Sequence, residues 1–251
     1  MAEGASFLLG HNLLAHDLPL LRATAPHLKL LALPVIDTLR RSPLAFPQNP
    51  YHRLIKDYKL IRDSLNSPLA DCRSTLILFQ DQHQAFTRLA ENQQNELLCY
   101  QALIAPQIGT GLGNFFLAMS GQPPIDLPQL RGLLATLLQE TDPAQKRDLK
   151  VCRTRLTRLI EQDLGLPDLN WPIAYALAWL RVSGGNSVLA PWVRYQFPAV
   201  SQLISELRDV PCTDKSCQYC QSTHDPRLEL KHYFNFDDFR YEADGKSAQY
   251  D

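Results

Sequence analysis

The 251-residue sequence has almost no net charge, no long apolar run and no basic leader. It contains 25 Lys and Arg against 26 Asp and Glu, which argues against a wholly polycationic nucleic-acid-binding protein and against a disordered acidic chain. No uncharged apolar stretch approaches the roughly 18 residues that a membrane-spanning helix needs. Residues 1–12 have no basic segment before their short apolar run, so we expect no signal peptide. The composition predicts a soluble, cytoplasmic globular protein with no membrane partner.

The chain contains six cysteines. Six cysteines in a chain of this length do not form the dense pattern of a secreted disulfide scaffold. Three of them, Cys72, Cys99 and Cys152, are spread along predicted helices, where we expect them to be small buried hydrophobic residues. The other three lie within nine residues near the C-terminus, and this clustering indicates metal binding.

The clustered cysteines form the pattern Cys212-x4-Cys217-x2-Cys220-x3-His224. Three thiolates and one imidazole complete a tetrahedral Zn²⁺ shell that has no open position for water. We therefore predict a closed zinc knuckle over residues 211–226, with a role in folding and not in catalysis. The alternative is that these thiols are unpaired or form redox pairs.

The hydrophobic pattern predicts a mainly α-helical protein with a small α/β part at its N-terminus. Residues 5–9 and 31–39 are predicted to be short strands, the second running into a helical turn, and Asp17 is predicted to open a helix between them. Two short strands do not make a stable sheet by themselves, so either further strands are missing or helices cover the pair. The glycine-rich residues 109–113 are interpreted as a helix-breaking turn, because no strand precedes them.

Two short motifs combine asparagine and aspartate at the same spacing. Asn12-x4-Asp17 lies between a predicted strand and a predicted helix, and Asn66-x4-Asp71 opens a later helix. The first resembles the second motif of the RNase H-like DEDDh 3′–5′ exonucleases, in which the aspartate binds a two-metal site. The second has the spacing of that family's His-x4-Asp motif, which supplies the general base and a further metal ligand. The alternative for Asp17 is a helix N-cap.

Several parts of that catalytic site are missing. Asn66 stands where the family has histidine, and an amide cannot take a proton from water near neutral pH. His52-x4-Asp57 has the same spacing, although a solvated helix face is the alternative there. No Asp-x-Glu precedes Gly10, whereas two-metal hydrolysis needs several carboxylates. We therefore expect a degenerate exonuclease-like site, with Mg²⁺ only in an intact relative. The remaining alternative is an active nuclease in which other carboxylates complete the site.

An aromatic segment, Phe-Asn-Phe-Asp-Asp-Phe-Arg, occupies residues 234–240 and is followed by Gln249. It resembles the leader of RecQ-family ATP-dependent DNA helicases, which has Phe-Gly-[Phe/Tyr]-x-x-Phe-Arg and a nearby glutamine. Asn235 replaces the glycine. In that family, the corresponding residues recognise the adenine of ATP. The resemblance therefore implies that Phe236, Arg240 and Gln249 face the adenine in an intact helicase.

The phosphate-binding Walker A motif, Gly-x4-Gly-Lys-[Ser/Thr], does not occur in the sequence. Residues 245–247 are Gly-Lys-Ser but lack the upstream glycine and strand. Nucleotide affinity comes largely from phosphates held by such a loop, so we expect this chain to bind ATP negligibly and to hydrolyse none. Calorimetric titration with Mg²⁺ and ATP checks this, and saturable micromolar binding would show that the aromatic segment is misinterpreted.

In order along the chain, these motifs resemble larger bacterial helicases with an N-terminal exonuclease-like domain. The resemblance implies a partial exonuclease-like domain without its first strands (1–91), a helical connector (92–210), the zinc knuckle (211–226) and the start of a helicase domain (227–251). It implies a truncated fragment acting in DNA unwinding or repair, with DNA as the partner of the full-length relative and association with a helicase core encoded downstream. The alternative is a non-catalytic, zinc-stabilised nucleic-acid or protein interaction module of exonuclease ancestry.

A basic face is also predicted in the connector, where Arg147, Lys150 and Arg158 share one side of a helix. Such a face can follow a phosphate backbone, and a solvated helix surface is the alternative.

Overall fold

The computed structural model describes residues 4–49, 68–104, 109–138, 141–142, 147–148, 151–182 and 189–224. These residues are mainly helical, which confirms the predicted mainly α class. The helices are α1 (Leu18–Thr24), α2 (Thr38–Ala45), α3 (Pro68–Asn92), α4 (Gln94–Ile104), α5 (Gly109–Ser120), α6 (Leu127–Leu137), α7 (Arg153–Arg158), α8 (Asn170–Leu180), α9 (Pro191–Gln196), α10 (Ala199–Arg208) and α11 (Gln218–Thr223). The strands are β1 (Leu8–Gly10), β2 (Val35–Asp37), β3 (Thr141–Asp142) and β4 (Arg147–Asp148). No helix in these ranges is long and apolar enough to cross a membrane.

The two predicted N-terminal strands are present, although each is only three residues long. They pair in parallel, with Leu8 opposite Val35 and Gly10 opposite Asp37. Helix α3 packs against β1 and helix α5 packs against β2, so helices cover the strand pair. An RNase H-like origin of this unit stays a prediction.

Glycine-rich residues 109–113 form the first turn of α5, so their interpretation as a helix-breaking turn is wrong. The reason is a close approach between the helix and β2. A Cβ atom on Gly111 would overlap the carbonyl oxygen of Val35 and lie 2.6 Å from its backbone carbon and nitrogen atoms. Only glycine lets the two backbones meet at this distance.

We expect Gly111→Ala to lower the free energy of unfolding by about 2–3 kcal/mol, because the added methyl group displaces the strand backbone. This loss exceeds the roughly 1 kcal/mol by which alanine is the better helix former. Gly132 in α6 is the matched control, since a Cβ there would meet nothing within 4 Å, and Gly132→Ala should be neutral or stabilising. Urea denaturation measures both, and equal stability of the two variants would contradict the close approach.

The larger hydrophobic core extends from the strand pair through the helices. It contains Ile36 of β2, Phe86 of α3, Leu177 of α8 and Leu203 of α10. Residues on both sides of the predicted boundary after residue 91 therefore share one core, while the boundary itself stays a prediction. A second, smaller buried cluster consists of cysteines and lies where α7, α10 and α11 meet.

Candidate metal centre

Four cysteine side chains converge between the start of α7 and the segment that joins α10 to α11. The sulfur atoms of Cys152, Cys212, Cys217 and Cys220 all lie within 4.8 Å of one another. Zn–S bonds of about 2.3 Å place the sulfur atoms of a tetrahedral site about 3.8 Å apart, so small movements of these thiols would enclose one ion. An iron–sulfur cluster needs more widely separated thiolates, because iron and sulfide ions lie between them. Four cysteines in this arrangement could hold a single metal ion.

The chain around the three clustered cysteines is folded by local hydrogen bonds. The Cys212 N–H donates to the Cys220 sulfur atom at 3.4 Å, and the Cys217 N–H donates to the carbonyl of Asp214 at 3.1 Å. The Asp214 carboxylate accepts from both the N–H and the hydroxyl of Ser216, at 2.8 and 2.7 Å. Because α11 begins directly after Cys217, Cys220 lies one helical turn later on the same side. The short spacing in the sequence thus brings three sulfur atoms together.

Cys152 joins this cluster from a distant part of the chain. It is fully buried, precedes α7 as its N-cap residue, and donates its N–H to the carbonyl of Leu207 in α10 at 2.8 Å. The hydroxyl of Thr154 donates to the Asp214 carboxylate at 3.2 Å, which ties α7 to the cysteine-rich segment. Cys99 and Cys152 are buried as expected, whereas Cys72 is exposed, so the expectation of burial is wrong for Cys72. Cys152 is in addition a candidate metal ligand, because its thiol lies within 4.8 Å of the other three.

His224, the predicted fourth ligand, is not part of the converging group. Its ring stands edge-on to that of Tyr219, with the ring centroids 5.9 Å apart. Its Nε2 atom is buried and has no hydrogen-bond partner among the described residues. The candidate ligand set is thus four cysteines instead of three cysteines and a histidine, because tertiary packing places Cys152 beside the other three.

The thiols of the centre differ in their pKa values. Burial is the main cause that raises the pKa of Cys220 to about 12, and burial likewise raises the pKa of Cys152. Burial also acts on Cys212, but hydrogen bonds with the Asp214 backbone and with Cys152, Cys220 and Thr154 outweigh it and lower the pKa of Cys212 to about 7. Since the thiolate is the metal ligand, binding must release protons from the thiols with raised pKa values.

The predicted exonuclease carboxylates lie on separate elements. Asp17 is exposed immediately before α1, and Asp71 lies in the first turn of α3. Asp17 makes no side-chain capping hydrogen bond, so the N-cap alternative is wrong; its carboxylate lies 3.5 Å from Nδ1 of His16. Within the described ranges, the four cysteines are the only group of three or more His, Cys, Asp or Glu side chains whose ligand atoms converge. The carboxylates in those ranges therefore do not assemble a two-metal site.

Asp37, at the end of β2, organises the chain around Asp17 and was not among the predicted site residues. Its buried carboxylate accepts hydrogen bonds from the backbone N–H groups of Asn12, Leu14 and Leu39 at 2.9–3.0 Å. It therefore fixes the turn after β1, where Asn12 has a left-handed φ of 64°. An aspartate directly before a predicted helix is an N-cap signal, but the two contacts to the turn are invisible in the sequence.

The remaining predicted positions lie outside the described residues: Asn66, His52, Asp57, Lys150, Phe236, Arg240 and Gln249. The prediction that Arg147 and Arg158 share one side of a helix is wrong, because Arg147 lies in β4 and Arg158 ends α7. Comparison of the chain with protein-family models, with curated proteins and with solved structures finds no match. The fold and the candidate site therefore describe this chain as a mainly helical protein with a candidate four-cysteine metal centre.

Proposed function

We propose that the four cysteines bind one Zn²⁺ ion and that this ion stabilises part of a DNA-processing protein. The observation that supports the zinc site is the convergence of four sulfur atoms within 4.8 Å. Four sulfur ligands fill a tetrahedral shell and leave no position for a reactive water, unlike catalytic zinc sites with three protein ligands. The ion would link α7 to α11 and would contribute its binding free energy to folding.

The DNA-processing role is supported by the resemblance of residues 12–17, 66–71 and 234–249 to exonuclease and RecQ-type helicase motifs, in that order along the chain. The β1–α1–β2 unit, in which Asn12 and Asp17 join strand to helix, is consistent with the exonuclease part. In this proposal the chain holds or positions DNA for a helicase core that supplies ATP binding and Mg²⁺ chemistry. The full-length protein would act in DNA unwinding or repair.

Metal analysis by mass spectrometry of the purified chain tests the first half of the proposal. We expect about one zinc per chain, little iron and no visible absorption band, because a single ion fits the sulfur spacing. Iron together with acid-labile sulfide, or metal far below one per chain, would contradict a zinc site.

We expect no significant 3′–5′ exonuclease activity with Mg²⁺ or Mn²⁺ on end-labelled single strands. The described carboxylates do not converge, and Asn66 cannot act as a general base. Wild type and Asp17→Ala should bind the labelled strand equally and leave it intact. Degradation that disappears in Asp17→Ala would instead support the active-nuclease alternative.

The competing proposal is a non-catalytic interaction module stabilised by the same zinc ion. A structural zinc ion with four cysteine ligands is compatible with an interaction module and with a DNA-processing protein. The ligand set therefore favours neither proposal over the other. Binding of oligonucleotides at low salt separates the two. Full zinc content without any oligonucleotide binding would favour a protein-binding module.

A further inference from the structure

A cavity of about 900 Å³ lies where four helices meet, and none of the four clustered cysteines lines it. Its walls come from the end of α2 and the turn after it, the second half of α3, the start of α4 and the end of α8. Helix α2 packs on α3 and α8, and α4 packs on the same two helices, so packed helices fix the walls. The volume falls within the roughly 300–1,000 Å³ of small-molecule sites.

Much of the lining is apolar. The half-buried residues Phe46 and Pro47 follow α2, Leu89 belongs to α3, and Val182 follows α8. Small-molecule sites combine such an apolar lining with a few polar groups that orient the ligand. The cavity therefore suits a ligand with an apolar body.

A buried ion pair supplies polar groups to the same cavity. The Arg181 guanidinium donates to the Glu96 carboxylate at 3.1 Å, and both residues line the cavity. The Glu96 carboxylate also accepts from the Tyr100 hydroxyl. A guanidinium has five N–H donors, and the bonds of Arg181 to Glu96, to the Leu137 carbonyl and to the Gln93 side chain use three of them. In the described ranges, Arg181 thus retains N–H donors for a further acceptor.

The charged residues of the lining leave one positive charge. They are Arg88, Glu96 and Arg181, and Arg181 balances Glu96. Arg88 is exposed, and only its Nε bonds to a described residue, the Gln84 carbonyl at 3.4 Å. Glu91, in the next turn of α3, does not line the cavity and forms no ion pair with Arg88 among the described residues. The two terminal nitrogens of Arg88 are therefore available for a bidentate contact with a carboxylate.

We propose that this cavity binds a small monocarboxylate with an apolar body, whose carboxylate pairs with Arg88. One carboxylate matches the single positive charge of the lining, whereas a phosphate with two negative charges would leave one unbalanced. Arg181 offers its remaining N–H donors to a second acceptor on the ligand. The site depends neither on the zinc ion nor on a nucleic-acid partner.

Calorimetric titration of the full chain with 2-naphthoate and with its neutral amide, 2-naphthamide, tests the proposal. One 2-naphthoate should bind per chain with a Kd below about 1 mM, and 2-naphthamide should bind at least about fivefold more weakly, because it has no charge to pair with Arg88. Arg88→Gln should weaken 2-naphthoate binding at least about fivefold and remove the preference for the acid. Arg73→Gln is the matched control, since Arg73 is exposed on α3 and does not line the cavity, and it should change neither quantity.

A second pair of variants tests the cavity by volume. Ala85 lines the cavity, so Ala85→Leu should weaken both probes, whereas Ala70→Leu, at an exposed position of α3 outside the lining, should bind them like wild type. Circular dichroism checks the fold of every variant. Because Arg88 is exposed, Arg88→Gln should fold normally and decides the question even where Ala85→Leu is unstable.

Four outcomes overturn the inference. They are no saturable binding of 2-naphthoate by the wild-type chain, equal affinity for acid and amide, an equal loss in Arg73→Gln and Arg88→Gln, and tighter binding of 2-naphthyl phosphate than of 2-naphthoate. None of them affects the proposed zinc site or the DNA-processing role, which are tested by metal content and oligonucleotide binding.

Discussion

Cys152→Ser should abolish binding of the proposed zinc ion as completely as Cys217→Ser, whereas His224→Ala should retain about one ion per chain. The expected effect is large, because structural zinc contributes roughly 10–16 kcal/mol of apparent binding free energy in zinc-finger peptides. The sulfur atom of Cys152 lies within 4.8 Å of the other three, and His224 is outside this group. The serine hydroxyl would leave three thiolates, and the ion would lose a quarter of its ligand shell.

Cys72→Ser is the matched control for these variants, because Cys72 is an exposed cysteine outside the cluster. It should keep both the zinc content and the stability of the wild type. Metal analysis after gel filtration and thermal unfolding with and without a chelator measure the two quantities. Full zinc content in Cys152→Ser combined with loss in His224→Ala would restore the three-cysteine, one-histidine site predicted from the sequence.

Glu96→Ala should lower the free energy of unfolding by about 3–5 kcal/mol, because it leaves a buried cation without its partner. The Arg181 guanidinium donates to the Glu96 carboxylate at 3.1 Å, and the two side chains are only 10% and 5% exposed. The Tyr100 hydroxyl donates to the same carboxylate at 2.5 Å. Burial and then this carboxylate raise the pKa of Tyr100 well above its usual value, so the phenol stays protonated and keeps donating.

The remaining Arg181 contacts explain why the loss should be only partial. Its guanidinium also donates to the carbonyl of Leu137 at 3.3 Å and to the side chain of Gln93 at 3.0 Å, so the cation links α4, α6 and the end of α8. A double-mutant cycle with Arg181→Ala should give a coupling energy above about 0.5 kcal/mol. The exposed Glu91 of α3 supplies the control, since Glu91→Ala should stay within about 0.5 kcal/mol of wild type. Additive effects of Glu96→Ala and Arg181→Ala would contradict a direct interaction.

Elements that depend on neighbours within a few residues were predictable. The two short strands and the helix that follows Asp17 were predicted from apolar runs and from the Asp17-Leu-Pro pattern, and both are present in the structure. The parallel pairing of the strands joins residues far apart in the sequence and was not predicted. The convergence of Cys212, Cys217 and Cys220 is equally local, because a turn and the first turn of α11 bring them together. Residues 109–113 show the opposite case, since glycine was taken as a helix breaker although a helix-to-strand contact requires it.

The sequence by itself determined the mainly helical class, the two short strands and three of the four clustered cysteines, because periodicity and spacing act over one or two turns of chain. Only the tertiary structure decided the fourth cysteine and the Glu96–Arg181 pair. Cys152 reaches the centre because its N–H bonds to Leu207 of α10, and Glu96 meets Arg181 across 85 residues of sequence. Such contacts form when separate helices pack on a common core, and no local pattern of residue types specifies which distant side chains will then meet.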